Sequence, residues 1–360
     1  MNTPPPQRIL VVRLSAIGDI VMASGIISAL RSIWPDSHIA WLAEKGPAEL
    51  LKTNPQLDEV IELPRSKWKA MQREGKGITA KGEMWAFSKM LRQQSFDLAI
   101  DLQGLIKSGF WVWATRAPRR IGLGSREGSQ WLMTETYARN EDDPRIGKEY
   151  RALSMRLGAP DESFIPTIII PESVHAKALE ILGKHKTPDR RVALLAPFTT
   201  RPQKHWFTDH WIALIHKLSS AGFHCMILGG PEDVSNGEEI AGLASLDMGS
   251  LAGKTSLLES AALVKAADLF IGVDTGLTHI GMTSQTPTIA LFGSTLPYWE
   301  TGSPRAEILY TREPCSPCHR RPSCSGHFTC MRHHSADKVF EAALRVTATS
   351  PYTADRSNSE

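Results

Sequence analysis

The sequence predicts an α/β protein of two domains, and three observations lead to that prediction. The 360 residues exceed what one core ordinarily uses, since domains usually contain about 100 to 200 residues. Short apolar runs alternate with helical patterns in the first half, as in a parallel sheet with crossover helices. The same alternation begins again after a proline-rich stretch between residues 160 and 190. We therefore expect two Rossmann-like domains facing across a cleft, at residues 1–170 and 171–348.

The first half begins with a strand at Ile9–Leu14 and a helix at Ile20–Ile33, and further strands follow at His38–Ala43 and Leu98–Leu102. Two stretches break this pattern. Residues 64–82 are polar and basic and predict an exposed, mobile loop, and residues 119–145 form a second irregular zone. Right-handed crossovers bring the loops after the strands to one edge of the sheet, where ligands bind.

The second half repeats this order. Its predicted strands are Val192–Ala196, Cys225–Leu228, Leu269–Val273 and Thr288–Phe292. Its predicted helices are Asp209–Ser219, Val234–Leu243, Leu257–Ala266 and one starting at Leu277. A final helix at Ala336–Val346 packs in the second domain or back on the first. The tail 349–360 is small and polar, which predicts disorder.

Composition excludes several classes of protein. Apolar residues make up 42% and charged residues 22% of the chain, as in globular proteins. The formal charge of +3 does not by itself indicate a nucleic-acid partner. No stretch of 18 apolar residues occurs, and the apolar run at residues 9–12 is too short for a signal peptide. We expect a cytoplasmic protein that could still rest on a membrane surface.

Asp19 follows the first strand, in the segment Ser15-Ala-Ile-Gly-Asp19, and has two interpretations. As a structural residue, it satisfies free amide groups at the start of a helix and complements the helix dipole. As a functional residue, it is a general base that takes a proton from an acceptor hydroxyl. The glycine pattern here is not G-x-G-x-x-G and no Walker A motif occurs, which disfavours a nicotinamide enzyme and a P-loop nucleotidase.

Three loops of the second half suit a sugar nucleotide. The turn at residues 273–279 opens a helix whose first amides can hold an anion, although a plain capped turn explains it equally. The loop at residues 198–206 carries Lys204, either a partner for a diphosphate or a solvated lysine. Glycines and Glu232 at residues 229–233 suit the approach of a ribose. Their coincidence points to a donor site more strongly than any one loop.

Four segments together resemble the lipopolysaccharide heptosyltransferases of glycosyltransferase family 9. They are R-L-S-A-I-G-D-I-V at 13–21, D-L-Q-G-L-I-K-S at 101–108, T-T-R-P-Q-K-H-W at 199–206 and V-D-T-G-L-T-H at 273–279. The second and fourth look more like heptosyltransferase I than heptosyltransferase II. The resemblance implies a GT-B fold and inverting transfer of L-glycero-D-manno-heptose from ADP-heptose to Kdo-lipid A at the cytoplasmic face of the inner membrane. It implies no catalytic metal or other required cofactor.

The resemblance also assigns residues to roles. Asp19 matches the base and Lys204 the diphosphate-binding lysine. The implied donor-binding set is Thr199, Thr200, Lys204, Glu232, Asp274, Thr275, Gly276 and His279. The implied acceptor-binding set is Ser15, Gly18, Arg65, Lys67, Lys69, Gln103 and Lys107. Cations suit an acceptor that bears carboxylates and phosphates. The alternative is that residues 65–69 are simply charged residues exposed to solvent.

Cysteines predict one further feature. Cys225 lies in an apolar strand pattern and is expected to be a buried, reduced thiol. The C-x2-C-x5-C-x5-C spacing of Cys315, Cys318, Cys324 and Cys330 predicts a structural metal site, with His319 or His327 as substitute ligands. Packed thiols are the alternative, and disulfides are disfavoured in a reducing compartment.

Other functions stay open at this point. The chain could be heptosyltransferase II, or a family 9 transferase with another glycan or a protein as acceptor. It could be a sugar-nucleotide epimerase with related domains. A more distant alternative is a nucleic-acid-binding protein, which the basic residues around the cysteines suggest, but the repeated α/β pattern argues against a nucleic-acid partner.

Overall fold

The computed structural model describes residues 4–139, 142–187, 190–246, 248–318 and 321–348. The chain divides into two compact units, the first formed by Met1–Asp143 and Gly147–Ile169, the second by Pro144–Ile146 and Ile170–Glu360. The main division falls one residue from the expected boundary at 170/171. The predicted disordered tail and His319 lie outside the described residues.

The first unit is an α/β sandwich around one parallel sheet. Its strands are β1 (Arg8–Val12), β2 (His38–Glu44), β3 (Glu59–Leu63), β4 (Leu98–Asp101), β5 (Arg119–Leu123) and β6 (Glu135–Tyr137). Its helices are α1 (Ile17–Ala23), α2 (Gly25–Ile33), α3 (Lys45–Leu51), α4 (Arg65–Arg73), α5 (Gly77–Gln93), α6 (Ile106–Ala114) and α7 (Lys148–Arg156).

The strand order in the first unit is β3-β2-β1-β4-β5-β6, and the described pairs are parallel. The order reverses between β1 and β4, where Ile9 aligns with Leu98 and Val12 with Asp101. Crossovers on either side of this point run in opposite directions, which leaves a crevice at the carboxyl ends of β1 and β4. Residues that follow these two strands are therefore brought together.

One face of this sheet carries the α4, α5 and α6 layer. Alternate strand residues such as Leu10, Val12 and Leu42 pack there against Trp68 of α4, together with residues of α5 and Trp111 of α6. The ring centroids of Trp68 and Trp111 are 5.6 Å apart. The central strand β1 is apolar from Ile9 to Val12 because both of its faces are covered.

The second unit repeats the architecture. Its strands are β7 (Arg191–Ala196), β8 (Phe223–Ile227), β9 (Gly249–Ser250), β10 (Leu269–Val273), β11 (Thr288–Phe292) and β12 (Ala306–Tyr310). Its helices are α8 (Glu172–Gly183), α9 (Thr208–Ser220), α10 (Val234–Ala244), α11 (Leu257–Ala266), α12 (Gly276–Met282), α13 (Thr329–Arg332) and α14 (Ala336–Ala348).

The strand order in the second unit is β12-β11-β10-β7-β8-β9, which is the order of the first unit with the same reversal, here between β7 and β10. Helices α9, α10 and α14 cover one face. The final helix thus has its core contacts in the second unit, against strands β10, β11 and β12. Among the described residues, no helix combines the length and apolar character that crossing a bilayer requires.

The prediction of a mobile loop at residues 64–82 is wrong. These residues form α4 and the start of α5, joined by a turn at Gly75, whose φ is +77°. Trp68 anchors the pair because its ring is buried and its Nε1 donates to Glu83 Oε2 at 3.0 Å. Polar and charged residues lie between the buried positions of these helices, such as Trp68 and Ala80, so the linear sequence of the segment looks polar.

The irregular zone expected at residues 119–145 is also wrong in part. It contains β5 and β6, which complete the sheet at its edge. Arg119 and Glu135 lie on these neighbouring strands and form an ion pair at 2.7 Å. The edge strand β6 and its neighbour β5 are short and begin with charged residues, so they lack the continuous apolar signal of the central strands.

Candidate functional site

The switch point of the first unit gathers the loop after β1 and the turn after β4. Arg13 is buried, and its guanidinium donates to the Leu102 carbonyl at 3.0 Å. The same guanidinium pairs with Asp19 Oδ2 at 2.6 Å. Asp19 lies in the first turn of α1, where its Oδ2 also accepts from the Ala16 N–H at 3.1 Å. The Asp19 side chain is 34% exposed. These contacts therefore hold the carboxylate in place and leave it open to a reactant.

The turn after β4 fixes this loop from the other side. Gln103 Oε1 accepts from the Leu14 N–H at 3.2 Å, so this predicted acceptor residue is engaged with the backbone. Asp101 is fully buried and accepts from the N–H groups of Gln103 and Gly104 and from the Ser108 hydroxyl, at 2.9 to 3.1 Å. Burial raises the pKa of Asp101 above its ordinary value despite these donors and Arg13.

Three of the predicted acceptor cations lie close together in the first unit. Lys107 opens α6, and its pKa is lowered by burial and then by the neighbouring charge of Arg65, with Lys69 contributing. Arg65 forms an ion pair with Glu44 at 2.9 Å. Lys67 is also paired, with Glu83 of α5 at 2.7 Å. Among the other two predicted residues, Gly18 is buried within α1 and Ser15 is half-buried.

The switch point of the second unit gathers the loops after β7 and β10. Lys204 lies in a short 3-10 turn, Pro202–Lys204, and its Nζ is 2.5 Å from Asp274 Oδ2. The Thr295 hydroxyl donates to the same oxygen, and His279 Nε2 lies 3.4 Å from Oδ1. Burial alone would raise the pKa of Asp274, but His279 and Lys204 hold that pKa well below its usual range. The carboxylate is therefore charged and fixes the position of the Lys204 cation.

The β10 to α12 turn is closed by a residue that the sequence analysis missed. Thr278 is fully buried and its hydroxyl donates to the Val273 carbonyl at 2.5 Å. Thr275 is the N-cap residue of α12 and Gly276 is its first residue, one position before the predicted start at Leu277. His279 Nδ1 is buried and has no hydrogen-bond partner among the described residues.

The remaining predicted donor residues lie on the loops after β7 and β8. The Thr199 carbonyl contacts His205 Nε2 at 2.7 Å, and Thr200 is exposed. Glu232 is exposed in a 3-10 turn, Pro231–Asp233. Burial raises the pKa of the Asp233 carboxyl, and the nearby His205 opposes that rise. The loops after β7 and β8 are therefore neighbours.

The four C-terminal cysteines lie near one another but show no metal geometry. Among the described residues, no group of three or more His, Cys, Asp or Glu side chains is arranged to hold a metal ion. Cys330 is buried beside Gly293, and burial raises the pKa of its thiol to about 11, with the other three cysteines adding to the rise. The predicted metal site is therefore not supported. Cys330 packs as an apolar side chain instead, and Cys225 is a buried thiol as predicted.

Comparison with known proteins gives a consistent family. The model of glycosyltransferase family 9 (heptosyltransferase) matches residues 84–328. Lipopolysaccharide core heptosyltransferase OpsX of Haemophilus influenzae is 23% identical over 81% of this chain and 80% of its own length. Lipopolysaccharide heptosyltransferase 1 of Escherichia coli is 26% identical, with 81% and 89% covered. Lipooligosaccharide heptosyltransferase 2 of Haemophilus influenzae is 27% identical, with 84% and 88% covered.

Solved structures extend the match to the fold. A family 9 glycosyltransferase from Veillonella parvula superposes with a TM-score of 0.77 at 21% identity, covering 96% of this chain and 98% of the other. The ADP-heptose lipopolysaccharide heptosyltransferase II of Escherichia coli gives 0.74 at 21% identity, covering 95% and 98%. At these identities the likeness establishes the fold, which is the GT-B fold with two Rossmann-like units.

Proposed function

Because this chain belongs to glycosyltransferase family 9, we propose that it transfers L-glycero-D-manno-heptose from ADP-heptose to the Kdo sugar of Kdo-lipid A. Such a reaction belongs to the assembly of the lipopolysaccharide inner core at the cytoplasmic face of the inner membrane. The observation that supports the proposal most is the contact between Lys204 and Asp274. These residues lie on separate loops, and both match positions that the resemblance assigns to the donor.

Asp19 acts as the general base in this proposal. Its carboxylate takes the proton of an acceptor hydroxyl, the acceptor oxygen bonds to the anomeric carbon of the heptose, and the bond from that carbon to the diphosphate breaks. Attack opposite the leaving group inverts the configuration. The contacts of Asp19 with Arg13 and the Ala16 N–H support this role, because they orient the carboxylate before the reaction.

Lys204 acts on the leaving group. Negative charge develops on the diphosphate of ADP as the glycosidic bond breaks, and a fixed cation stabilises it. The contact with Asp274 supports the role because it holds the ammonium group in one position. The loop Asp274, Thr275, Gly276 and His279, with Thr199 and Thr200, is proposed to bind the rest of the diphosphate and heptose, and Glu232 the ribose. No catalytic metal is invoked, since Lys204 supplies the positive charge.

The acceptor side is proposed to use cations of the first unit. Arg65, Lys69 and Lys107 present positive charge near the switch point, which suits an acceptor with carboxylate and phosphate groups. The pKa of Lys107 is lowered first by its partial burial and then by the like charge of Arg65. Gln103 is proposed to act through the backbone of the β1 loop, given its contact with the Leu14 N–H.

A second candidate is the transfer of a later heptose to an already heptosylated core. It is favoured by the similar match to a heptosyltransferase 2, at 27% identity, as to a heptosyltransferase 1, at 26%. An acceptor assay separates the two. Purified protein is given ADP-heptose with Kdo-lipid A, with heptosylated Kdo-lipid A or with no acceptor, and products are measured by mass spectrometry.

The proposal expects one heptosyl addition to Kdo-lipid A and none after Asp19→Asn. Asp97→Asn serves as a control, since Asp97 is a carboxylate of the same unit that accepts from the Arg8 N–H at the start of β1, away from the switch point. Addition only to the heptosylated acceptor would establish the second candidate. ADP-heptose binding without transfer to either acceptor would refute both.

A further inference from the structure

Helix α5 has an outer face that combines exposed apolar and basic side chains. At 100° per residue, Ile78, Lys81, Trp85, Lys89 and Arg92 fall within an arc of about 100°. Ile78 is 89% exposed and Trp85 is 69% exposed, although the opposite side of the helix is buried through Ala80 and Leu91. The Lys89 ammonium lies 5.7 Å from the centre of the Trp85 ring. A soluble helix would be expected to carry polar residues in these outward positions.

The charge of this region differs from that of the remaining chain. Residues 65–93 contain eight Lys or Arg residues and two Glu residues, so their formal charge is +6 while the whole chain has +3. Both glutamates are engaged, Glu74 with Lys76 and Glu83 with Lys67. Lys81 and Arg92 form no ion pair among the described residues. Arg65 is paired with Glu44 outside this segment, which leaves a formal charge of +5 on the α4 and α5 region that is not neutralised locally.

Helix α6 extends the apolar part of this surface. Ile106, Phe110 and Trp113 are spaced at i, i+4 and i+7, so they share one face of the helix, and each is exposed. Helices α4, α5 and α6 lie in one layer on the same face of the sheet, so their outer sides point away from that sheet. An apolar groove between α4 and α5, lined partly by Ala86 and Met90, adjoins the α5 face.

We propose that the outer face of α5 and α6 docks on an anionic lipid bilayer. Tryptophan and aliphatic side chains enter the interface between headgroups and acyl chains, and lysines beside them reach the lipid phosphates. Each cation held near an anionic surface adds about 1 kcal/mol of attraction, or roughly a fivefold gain in binding. The inference rests on the proposed function in one respect, since a lipid-linked acceptor must be reached at a membrane.

The charge pattern favours a bilayer over other occupants. A second copy of the chain, pairing through the same face, would bring two +6 regions together, and like charges oppose this. Single-stranded nucleic acid would use the rings of Trp85, Phe110 and Trp113 to stack bases, but it gives no reason for the aliphatic side chain of Ile78 to be 89% exposed on the same face. Exposed aliphatic residues flanked by unneutralised cations fit anionic lipid best.

The test measures sedimentation of the full-length protein with vesicles of phosphatidylcholine, alone or with about 30% phosphatidylglycerol. We expect binding to the anionic vesicles that weakens with salt. Combined Ile78→Ala and Trp85→Ala should lower that binding about tenfold or more. Lys81→Gln with Lys89→Gln should lower it by about fivefold for each cation removed. Trp299→Ala with Leu243→Ala removes two exposed apolar side chains of the second unit and should leave binding unchanged.

Equal binding to both vesicle types, or binding that the α5 variants do not change, would overturn the proposal. Loss of dimerisation or of RNA binding in these variants, without an effect on vesicles, would replace it with another partner. Transfer to a deacylated, water-soluble acceptor separates the two inferences. The α5 variants should retain that transfer, whereas failure of the wild type to transfer heptose to any acceptor would refute the proposed function and leave the vesicle result standing.

Discussion

Lys204→Met is expected to destabilise the second unit by about 2 kcal/mol at pH 7. The Lys204 and Asp274 side chains are 21% and 10% exposed, with 2.5 Å between Nζ and Oδ2. Breaking a fully buried pair costs about 3 to 5 kcal/mol because a charge is left buried alone. The cost is smaller here because Lys204 is partly solvated and because Asp274 keeps the Thr295 hydroxyl and His279.

Lys217→Met is the matched control. Lys217 forms an ion pair at 2.6 Å with Asp337, also within the second unit, but the two side chains are 37% and 71% exposed. An exposed pair contributes at most about 1 kcal/mol, so this variant should stay within about 0.5 kcal/mol of wild type. Urea unfolding with an unchanged m-value measures both costs. Adding Asp274→Asn completes a double-mutant cycle that isolates the pair from the loss of the lysine alkyl chain.

The effect should depend on pH in one direction. Asp274 has a pKa below its usual range in the folded state, so its pairing contributes stability above the unfolded pKa of about 3.9 and loses it as pH falls through the folded pKa. The gap between wild type and Lys204→Met should therefore be constant near neutrality and narrow below about pH 4. Equal destabilisation by the Lys204 and Lys217 variants, or a gap that widens in acid, would refute the reasoning.

Three further predictions concern other parts of the chain. Asp19→Asn should lower kcat by about 10² to 10⁴ while leaving the affinity for ADP-heptose near wild type, measured by steady-state kinetics and calorimetry, and an unchanged kcat would remove Asp19 as the base. Native alkylation at pH 8 followed by mass spectrometry should spare Cys225 and Cys330, because burial raises their thiol pKa values to about 12 and about 11. Gly104→Ala should cost more stability than Gly128→Ala, by about 2 kcal/mol or more, in urea melts. Both glycines have φ between +60° and +90°, but only a Cβ at Gly104 would meet backbone oxygens, at 2.5 Å. Equal costs would show that the steric contact is unimportant.

Central elements could be predicted from the sequence because their signal is local. Strand β10 is apolar throughout, and β1 and β11 are apolar after their first residues, Arg8 and Thr288. Helices such as α9 and α11 show a helical period of their own. Helices α4 and α5 and strands β5 and β6 were missed, since charged and polar residues interrupt their apolar positions along the sequence. The packing of α4 depends on a distant neighbour, since its Trp68 ring stacks on Trp111 of α6.

The site shows the same division. Asp19, Lys204 and the turn at Asp274 could be picked out because each follows a strand, where a parallel sheet exposes its ligand edge. The contacts of Arg13 with Leu102 and of Leu14 with Gln103 span 89 residues, and no local pattern encodes them. The four cysteines have a metal-binding spacing, but among the described residues their side chains are not arranged to hold a metal ion, and Cys330 packs beside Gly293.

By itself, the sequence determined that this chain forms two parallel α/β units with polar loops at their strand ends, because apolar periodicity and turn residues act over a few positions. Only the tertiary structure decided which of those loops meet. The strand order of each sheet places β1 beside β4 and β7 beside β10, and this order follows from burial of the faces of each sheet as a whole. Asp19 is held by Arg13, and Lys204 by Asp274, for that reason.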